Sequence, residues 1–465
     1  MRRRARAAVT RREFRAKLAP EMAQNQGSER EVFTGRWGVI FALLGVAVGL
    51  GNVWRFPYLM GLYGGGAFLL IYLLVVAIVG VPALMAELAL GRATRQGPLS
   101  AYATAGIGAG KMVGVLLFIG VAMAMSYYLV VIGWILAYLG IAVANVVGAT
   151  DNFSSATFGW LQTNWPLQVL CAAIVAAALA EVVGRGVKRG IEKASIVFVP
   201  LFGVLMVLLV IRSVTLPGAW EGIVYLLTPK WSDVSRQGLL AATGQAFFSL
   251  GLGGTFFVIY GSYLQSSESL PRRAISTAIG DVVASLLAAF AIMPAVFATG
   301  LSPTSGPALL FEVLPEACRQ IPGGLIFAIF FFAGLGCVAF LSGVAAVEVL
   351  VGSLTDRLGV SRRKVAWAVC AALVVLGLPA TRSLDYLFMS DQIWGSTMQP
   401  LGSVIAVAAL TWGLGKRQAS AQMAAADGTV PTWVNTWYLW VRYGVPIGVI
   451  GALASGWIPV EWLNP

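Results

Sequence analysis

"GLGNVWRFP", residues 49–57, lies inside a run of apolar residues long enough to cross a bilayer. It holds three features that an ordinary membrane helix avoids: paired glycines, an Asn and an Arg, and a closing proline. Backbone groups that lose their i→i−4 hydrogen bonds at membrane depth are tolerated only where protein or a cavity satisfies them. Gly49 and Gly51 permit dihedrals and close approaches that a Cβ forbids. Pro57 removes a further donor. An Arg at the centre of a span costs roughly 2.5–3.5 kcal/mol on insertion scales. The stretch therefore predicts a span that unwinds near 47–51 and bares carbonyls and amides to a ligand.

The same device returns in "FFSLGLGGTFF", residues 247–257, so that Gly-Leu-Gly occurs at 49–51 and again at 251–253. Working outward by hydropathy, eleven spans are expected, near 38–61, 67–90, 112–146, 166–184, 190–212, 238–264, 274–300, 322–354, 364–380, 386–414 and 434–457. The two interrupted spans are the first and the sixth. An offset of five is odd, so a repeat at that offset is inverted across the membrane. Interrupted helices at matching positions of two halves point to a binding site for a transported solute. Glycine pairs alone also permit tight helix packing, but an Asn and an Arg at depth favour a site. Half-helix N-termini offer N–H groups to a carboxylate, and unwound carbonyls offer oxygens to a cation.

Composition excludes other classes. Of 465 residues 58% are hydrophobic and only 11% charged, too few for a soluble surface. There is no His, hence no His-based metal site or general base. No P-loop, HExxH or strand-borne GxGxxG is present, which argues against an ATP-driven pump or an enzyme. The four Cys form no CxxC and read as small core residues. The net charge of +12 is not a nucleic-acid footprint, because Lys and Arg gather between spans. With the N-terminus inside, 26 of the 32 fall in inner segments; Arg212, Lys230, Arg236, Arg319 and Arg382 lie outside, and Arg55 lies in the membrane. This skew predicts a cytoplasmic N-terminus, an extracellular or periplasmic C-terminus, and residence in a plasma membrane, the inner membrane of a bacterium. The basic segment "MRRRARAAVTRREFRAK" reads as a solvated or headgroup-binding tail rather than a signal peptide. The expected organisation is a tail (1–36), a first repeat of five spans (37–213), an outer loop (214–237), a second repeat (238–414), an inner loop (415–433), and a last span with a short tail (434–465).

"GRWGVIFALLGVAVGLGNVWRFPYLMGLYGGGAF", "VPALMAELALGR" and "GQAFFSLGLGGTFFVIYGSYL" together resemble the first, second and sixth spans of the neurotransmitter:sodium symporter family. The resemblance implies an all-α integral membrane protein with a LeuT-type 5+5 inverted repeat, broken helices 1 and 6, and an eleventh helix. It implies Na⁺-coupled symport of an amino acid by alternating access. A binding, receptor-like or channel member of the same fold that does not couple transport is the alternative. The implied partners are an amino acid, one or two Na⁺ ions and the lipid bilayer, with no nucleic acid; the chain would be a monomer or weak dimer.

Carried over residue by residue, the resemblance implies the following. Ala47, Gly49, Gly51, Ala124, Tyr128, Phe248, Ser249, Gly251, Gly253, Gly254, Ser342 and Ala346 would bound the substrate, with Tyr128 on its carboxylate. Small walls among them favour a bulky apolar or aromatic substrate such as Trp, Tyr or Phe. One Na⁺ would sit among Ala47, Asn52, Ser249 and Asp281. A second would use Gly45, Val48, Val338 and Ser342, but Leu341 stands where the family usually has an oxygen-bearing side chain, which weakens that site. Tyr72, Gln245, Ser249 and Ser285 match the chloride-binding positions. Asp281 supplies a fixed negative charge beside them, so chloride should not be required. Arg55 would pair with Asp391, or with Asp385, at an outer gate closed by Phe248. Arg30, Asp356 and Tyr263 would form the inner gate, with Phe33 in place of the family's Trp. Glu87 resembles an acid that braces the broken first helix. Gly190 and Pro200 allow either local unwinding of the fifth span or a static kink.

Overall fold

The computed structural model describes residues 31–301, 309–424 and 428–457. Arg30 and most of the expected N-terminal tail, like the C-terminal residues 458–465, lie outside the described residues. Among those described, the secondary structure is helical, and β-pairing is confined to one isolated bridge, Gly65 with Pro229.

The helices follow the expected spans. They are α1 (Arg36–Ala47) and α2 (Gly51–Leu62), α3 (Gly66–Thr94), α4 (Gly110–Val146), α5 (Trp165–Gly184), α6 (Val187–Val214), α7 (Arg236–Ser249) and α8 (Phe256–Ser262). After them come α9 (Leu270–Ala298), α10 (Gly324–Leu358), α11 (Arg362–Thr381), α12 (Leu384–Leu414) and α13 (433–457). Eight of these described helices are individually long and apolar enough to cross a membrane, and the α1–α2 pair, bent by 56°, makes a ninth. The α7–α8 pair and α13 occupy the two remaining expected positions. Large apolar side chains such as Leu74, Ile174, Val204 and Ile211 stay exposed on the long helices, as lipid contact requires.

Small residues set the tightest helix contacts. A Cβ on Gly91 of α3 would stand 1.9 Å from the Val258 carbonyl oxygen of α8, and one on Gly261 would stand 2.5 Å from the Leu88 carbonyl. The two backbones therefore touch, which seats α8 firmly against α3. On the other side of the core, α10 packs against α4, α5 and α6. The half-helix α1 lies among α6, α9 and α10, so the first break opens toward the middle of the bundle.

Candidate functional site

The two Gly-Leu-Gly motifs break their helices by different means. At the second, the chain leaves helix between Ser249 and Phe256, and the left-handed dihedrals fall on Gly251 (φ 66°) and Gly254 (φ 68°). These are conformations that a Cβ penalises. At the first, Val48 turns extended (φ −76°, ψ 118°), and neither Gly49 nor Gly51 takes a positive φ. Those two glycines serve close approach. A Cβ on Gly49 would stand 2.6 Å from Ser342 Oγ and 3.8 Å from the Tyr128 hydroxyl, and one on Gly51 would stand 2.6 Å from the Phe248 ring.

Each break is satisfied from outside its own helix. The Gly49 N–H donates to Asn52 Oδ1 at 2.9 Å, so a side chain in the first turn of α2 reaches back to the unwound residue before it. Gln245 donates to the Gly51 carbonyl at 2.9 Å. In the second break the Gly253 N–H donates to Glu87 Oε1 at 3.1 Å, and the Tyr102 hydroxyl donates to the Gly254 carbonyl. Glu87 therefore braces the broken sixth span; the expectation that it braces the first is corrected. The reason is that α3 packs directly on α8.

Between the breaks lies a cavity. Its walls include nine of the twelve expected substrate residues: Ala47, Gly49, Gly51, Ala124, Tyr128, Phe248, Gly251, Ser342 and Ala346. Three expected residues sit elsewhere. Gly254 is pressed against Gly402 and Tyr102, where a Cβ would meet the Gly402 carbonyl at 2.3 Å. Gly253 faces Gln399 and lines a smaller adjoining cavity. Ser249 turns away from the cavity into a buried polar cluster. Phe256, Val121, Met125 and Gln399 line the main cavity although the sequence reading left them out. For two of them a signal existed: Val121, Ala124, Met125 and Tyr128 share one face of α4 at i, i+3, i+4 and i+7.

The polar cluster joins residues expected at the first Na⁺ site and at the chloride-like site. Asn52 Nδ2 lies 2.6 Å from Asp281 Oδ1, 2.9 Å from Ser285 Oγ, 3.0 Å from Ser249 Oγ and 3.1 Å from the Asp281 carbonyl. The Ser249 hydroxyl lies 2.8 Å from each Asp281 carboxylate oxygen, with its one hydrogen to donate between them, and Tyr72 donates to Oδ2 at 3.0 Å. Asn52, Tyr72, Asp281 and Ser285 are fully buried. Four oxygens thus converge on the Asn52 amide nitrogen at hydrogen-bond distances, so the NH2 group occupies their common point. Gln245 is not part of this cluster: its Nε2 is turned to Gly51, and its buried Oε1 has no hydrogen-bond partner among the described residues.

At the expected second ion site, Ser342 donates to the Val48 carbonyl at 3.3 Å. Leu341 is buried against Gly45, where a Cβ would meet its Cδ1 at 3.2 Å; the Ser195 hydroxyl, from α6, lies 3.4 Å from the same point.

On the Arg55 side of the cavity, the guanidinium stacks over Phe248, 5.3 Å from the ring centroid. Asp391 lines the cavity and accepts a hydrogen bond from Tyr127 at 2.9 Å. No ion pair joins Arg55 to Asp391 or Asp385 among the described residues. Of the two candidate acids, Asp391 is the one at the cavity.

The opposite end is closed by packing and by acids. Phe33 is buried against the rings of Tyr260 and Tyr263, and its N–H donates to the Tyr263 carbonyl at 3.2 Å. Tyr263 donates to Glu348, a fully buried acid that also pairs with Arg362; Arg362 donates to the Val183 carbonyl at 2.8 Å. Glu192 of α6 accepts from the Thr34 and Gly35 N–H groups at the start of α1, and Glu31 accepts from the Val187 N–H at the start of α6. None of Glu348, Arg362, Glu192 or Glu31 stood out in sequence. Asp356 lies in the last turn of α10, while its expected partner Arg30 is outside the described residues.

Two broken helices around one cavity, beside a carboxylate-centred oxygen cluster, match the architecture that the sequence resemblance implied. The profile of the Sodium:neurotransmitter symporter family matches residues 30–151 and 150–456. The chain belongs to that family. It is 36% identical to the uncharacterized sodium-dependent transporter YhdH of Bacillus subtilis, over 89% of this chain and 94% of the relative. It is 30% identical to an uncharacterized sodium-dependent transporter of Methanocaldococcus jannaschii, over 83% of this chain and 82% of that one. The crystal structure of MhsT in complex with L-phenylalanine superimposes with a TM-score of 0.82 at 35% identity, covering 92% of this chain and all of that one. The protein is therefore a multi-pass membrane transporter of the LeuT fold and not an enzyme.

Proposed function

We propose that this symporter carries a large hydrophobic or aromatic L-amino acid into the cell, driven by the Na⁺ gradient and without need of chloride. The observation that carries the reading is the convergence of both breaks on one cavity. The start of α2 and the Tyr128 hydroxyl offer donors to a carboxylate. The wall opposite is built from small or apolar side chains, Val121, Ala124, Met125 and Ala346 among them. MhsT, which shares the fold, was crystallised with L-phenylalanine.

The first Na⁺ would enter the Asn52–Ser249–Asp281 cluster, with the amide oxygen of Asn52 turned toward the ion and the Ala47 carbonyl added. Asp281 supplies the negative charge for which chloride would otherwise be needed. A second Na⁺ among Gly45, Val48, Val338 and Ser342 would be bound weakly, since Leu341 brings no oxygen. The Arg55 side would face outward, with Phe248 and Asp391 closing over the substrate. The Phe33–Tyr263–Glu348 side would face the cytoplasm, in keeping with the Lys and Arg skew. Binding of Na⁺ and substrate shifts the balance of states only through different affinities for them.

Uptake of labelled L-Trp, L-Tyr and L-Phe into proteoliposomes, with and without an inward Na⁺ gradient and with chloride replaced by gluconate, tests the reading. Gradient-dependent uptake that survives gluconate is expected. Uptake indifferent to Na⁺ would overturn it.

A further inference from the structure

The substrate cavity does not end at the walls described above. A smaller cavity adjoins it, and the two share Val121, Ala124, Phe256 and Gln399. This annex runs between α4, the start of α8, and α12. Gly120 sits on its floor: a Cβ there would still be 3.9 Å from both the Met398 methyl and the Trp394 ring, its nearest neighbours. These groups stand at ordinary van der Waals distance from that point, and the annex is walled by an indole, a thioether and short aliphatic side chains, with room for the edge of a ring that lies in the main cavity. Such walls suit a planar aromatic ring.

Gln399 is the polar amide in this apolar annex. Its stem is held in place, because Gly253 in the second break lies against it, with a Cβ there only 3.4–3.5 Å from its Cγ, Cα and Cβ. Its Oε1 is buried and accepts no hydrogen bond from any described residue. A buried amide oxygen without a protein partner is costly unless something else supplies the donor. The side chain lines both cavities, so a substrate reaching from one into the other passes it.

We propose that Gln399 is a specificity-determining residue: its amide oxygen accepts a hydrogen bond from a ring-borne N–H or O–H of the substrate side chain, so that the annex selects indole- or phenol-bearing amino acids over phenylalanine. This rests on reading the main cavity as an amino-acid site. A site built to bond a substrate's polar hydrogen rejects the analogue that lacks it, because the protein group is then left unpaired after water has been displaced. One neutral hydrogen bond supports a preference of about tenfold. The position of Gln399 against Gly253 also couples the far end of the substrate to the second broken helix.

The test is binding of amino acids to the purified full-length protein in Na⁺-containing buffer, by scintillation proximity with labelled ligand and unlabelled competitors. The competitors are L-Trp, 1-methyl-L-Trp, L-Tyr, O-methyl-L-Tyr and L-Phe. L-Trp is expected to outcompete its methylated form, or L-Tyr its own, by about tenfold, and the pair that shows the gap identifies the ring. In Gln399→Leu the gap should collapse to within about twofold, and L-Phe should bind more tightly than to the wild type. An equal gap in the variant, or no gap in the wild type while amino acids do bind, overturns the Gln399 assignment alone. Failure of any amino acid to bind the wild type overturns the underlying reading as well. Should Gln399→Leu not fold, the methylated competitors on the wild type and the shorter amide in Gln399→Asn decide the matter by the same criterion.

Discussion

The Glu192 carboxylate of α6 caps the first half-helix of another span, accepting the Thr34 N–H at 3.2 Å and the Gly35 N–H at 3.3 Å. A second acid, Glu31, returns the favour by accepting the Val187 N–H at the start of α6, at 2.6 Å. The two helices thus hold each other's N-termini, where orphan amides and the positive dipole end favour a carboxylate. Gly190 and Pro200 lie on this same α6, in and beyond its π-helical first turns. If α6 unwinds during inward release, the clasp must part first.

Removing the Glu192 acceptor should therefore loosen α1 locally. A lost cap costs about 1 kcal/mol, enough to speed amide exchange roughly fivefold. In Glu192→Ala, hydrogen-exchange mass spectrometry should show that acceleration in the segment around 34–38 and none in α4. Gly38→Ala should give the same pattern, since a Cβ there would stand 1.9 Å from Glu192 Oε1 and displace the carboxylate. Unchanged exchange in both variants would show that the clasp does not hold α1.

Asp281 concentrates the charge of the polar cluster, with Asn52, Tyr72 and Ser249 all bonded to its carboxylate. Asp281→Asn keeps the shape and removes the charge. Na⁺ then meets neutral ligands alone, and a mobile anion is needed to balance it. The variant should lose at least tenfold in Na⁺ affinity when chloride is replaced by gluconate and recover much of it in chloride. Wild-type binding should be indifferent to the swap. Equal behaviour of the two proteins in both salts would count against a balancing role for Asp281.

Leu341 makes a prediction of the opposite sense, a gain. It is buried beside Gly45, next to the Ser342 hydroxyl that already reaches the Val48 carbonyl. Leu341→Thr adds a hydroxyl and removes apolar volume. Na⁺-dependence curves of substrate binding should shift to lower concentration and steepen, as a second ion becomes well held. The same change costs about 1–3 kcal/mol of apolar burial and cavity, so the apparent Tm without Na⁺ should fall slightly. An unaltered Na⁺ curve would mean that the missing oxygen is supplied elsewhere; the Ser195 hydroxyl is the nearest candidate.

Much of this was legible in the chain itself, and the reasons differ by residue. The breaks were legible because glycine pairs, Asn52 and Arg55 conflict with a lipid-facing helix. What each glycine does was not, because close approach at Gly51 depends on Phe248 arriving from a distant segment, whereas Gly254 needs its left-handed φ for a local turn. Asn52, Ser249 and Asp281 were found by resemblance, and the fold brings them within 3.0 Å of one another. Gln399 and Glu192 carry no local signature. Their meaning arises only when α12 meets the second break and when α6 meets the start of α1.

Glu348 is another residue whose role is tertiary. It is fully buried, yet it binds the Tyr263 hydroxyl and the Arg362 guanidinium, whose side chain is 21% exposed. Breaking a buried pair by deleting one partner costs about 3–5 kcal/mol, because the other charge is stranded. Arg362 still reaches solvent and the Val183 carbonyl, so the cost here should fall to about 2–3 kcal/mol. Glu348→Ala should lower the apparent Tm of the detergent-purified protein by several degrees. Replacing both partners by Met leaves no stranded charge and should recover most of the loss, with a coupling above about 1 kcal/mol in the double-mutant cycle. Additive losses would show that Glu348 and Arg362 act independently. The same pair, through Tyr263, secures the end of α8 against α10, so Glu348→Ala should also raise reactivity of a Cys placed at Ser353 toward a membrane-impermeant thiol reagent. That effect should vanish in the double Met variant if it comes from the stranded Arg362, and persist if it comes from release of the Tyr263 hydroxyl.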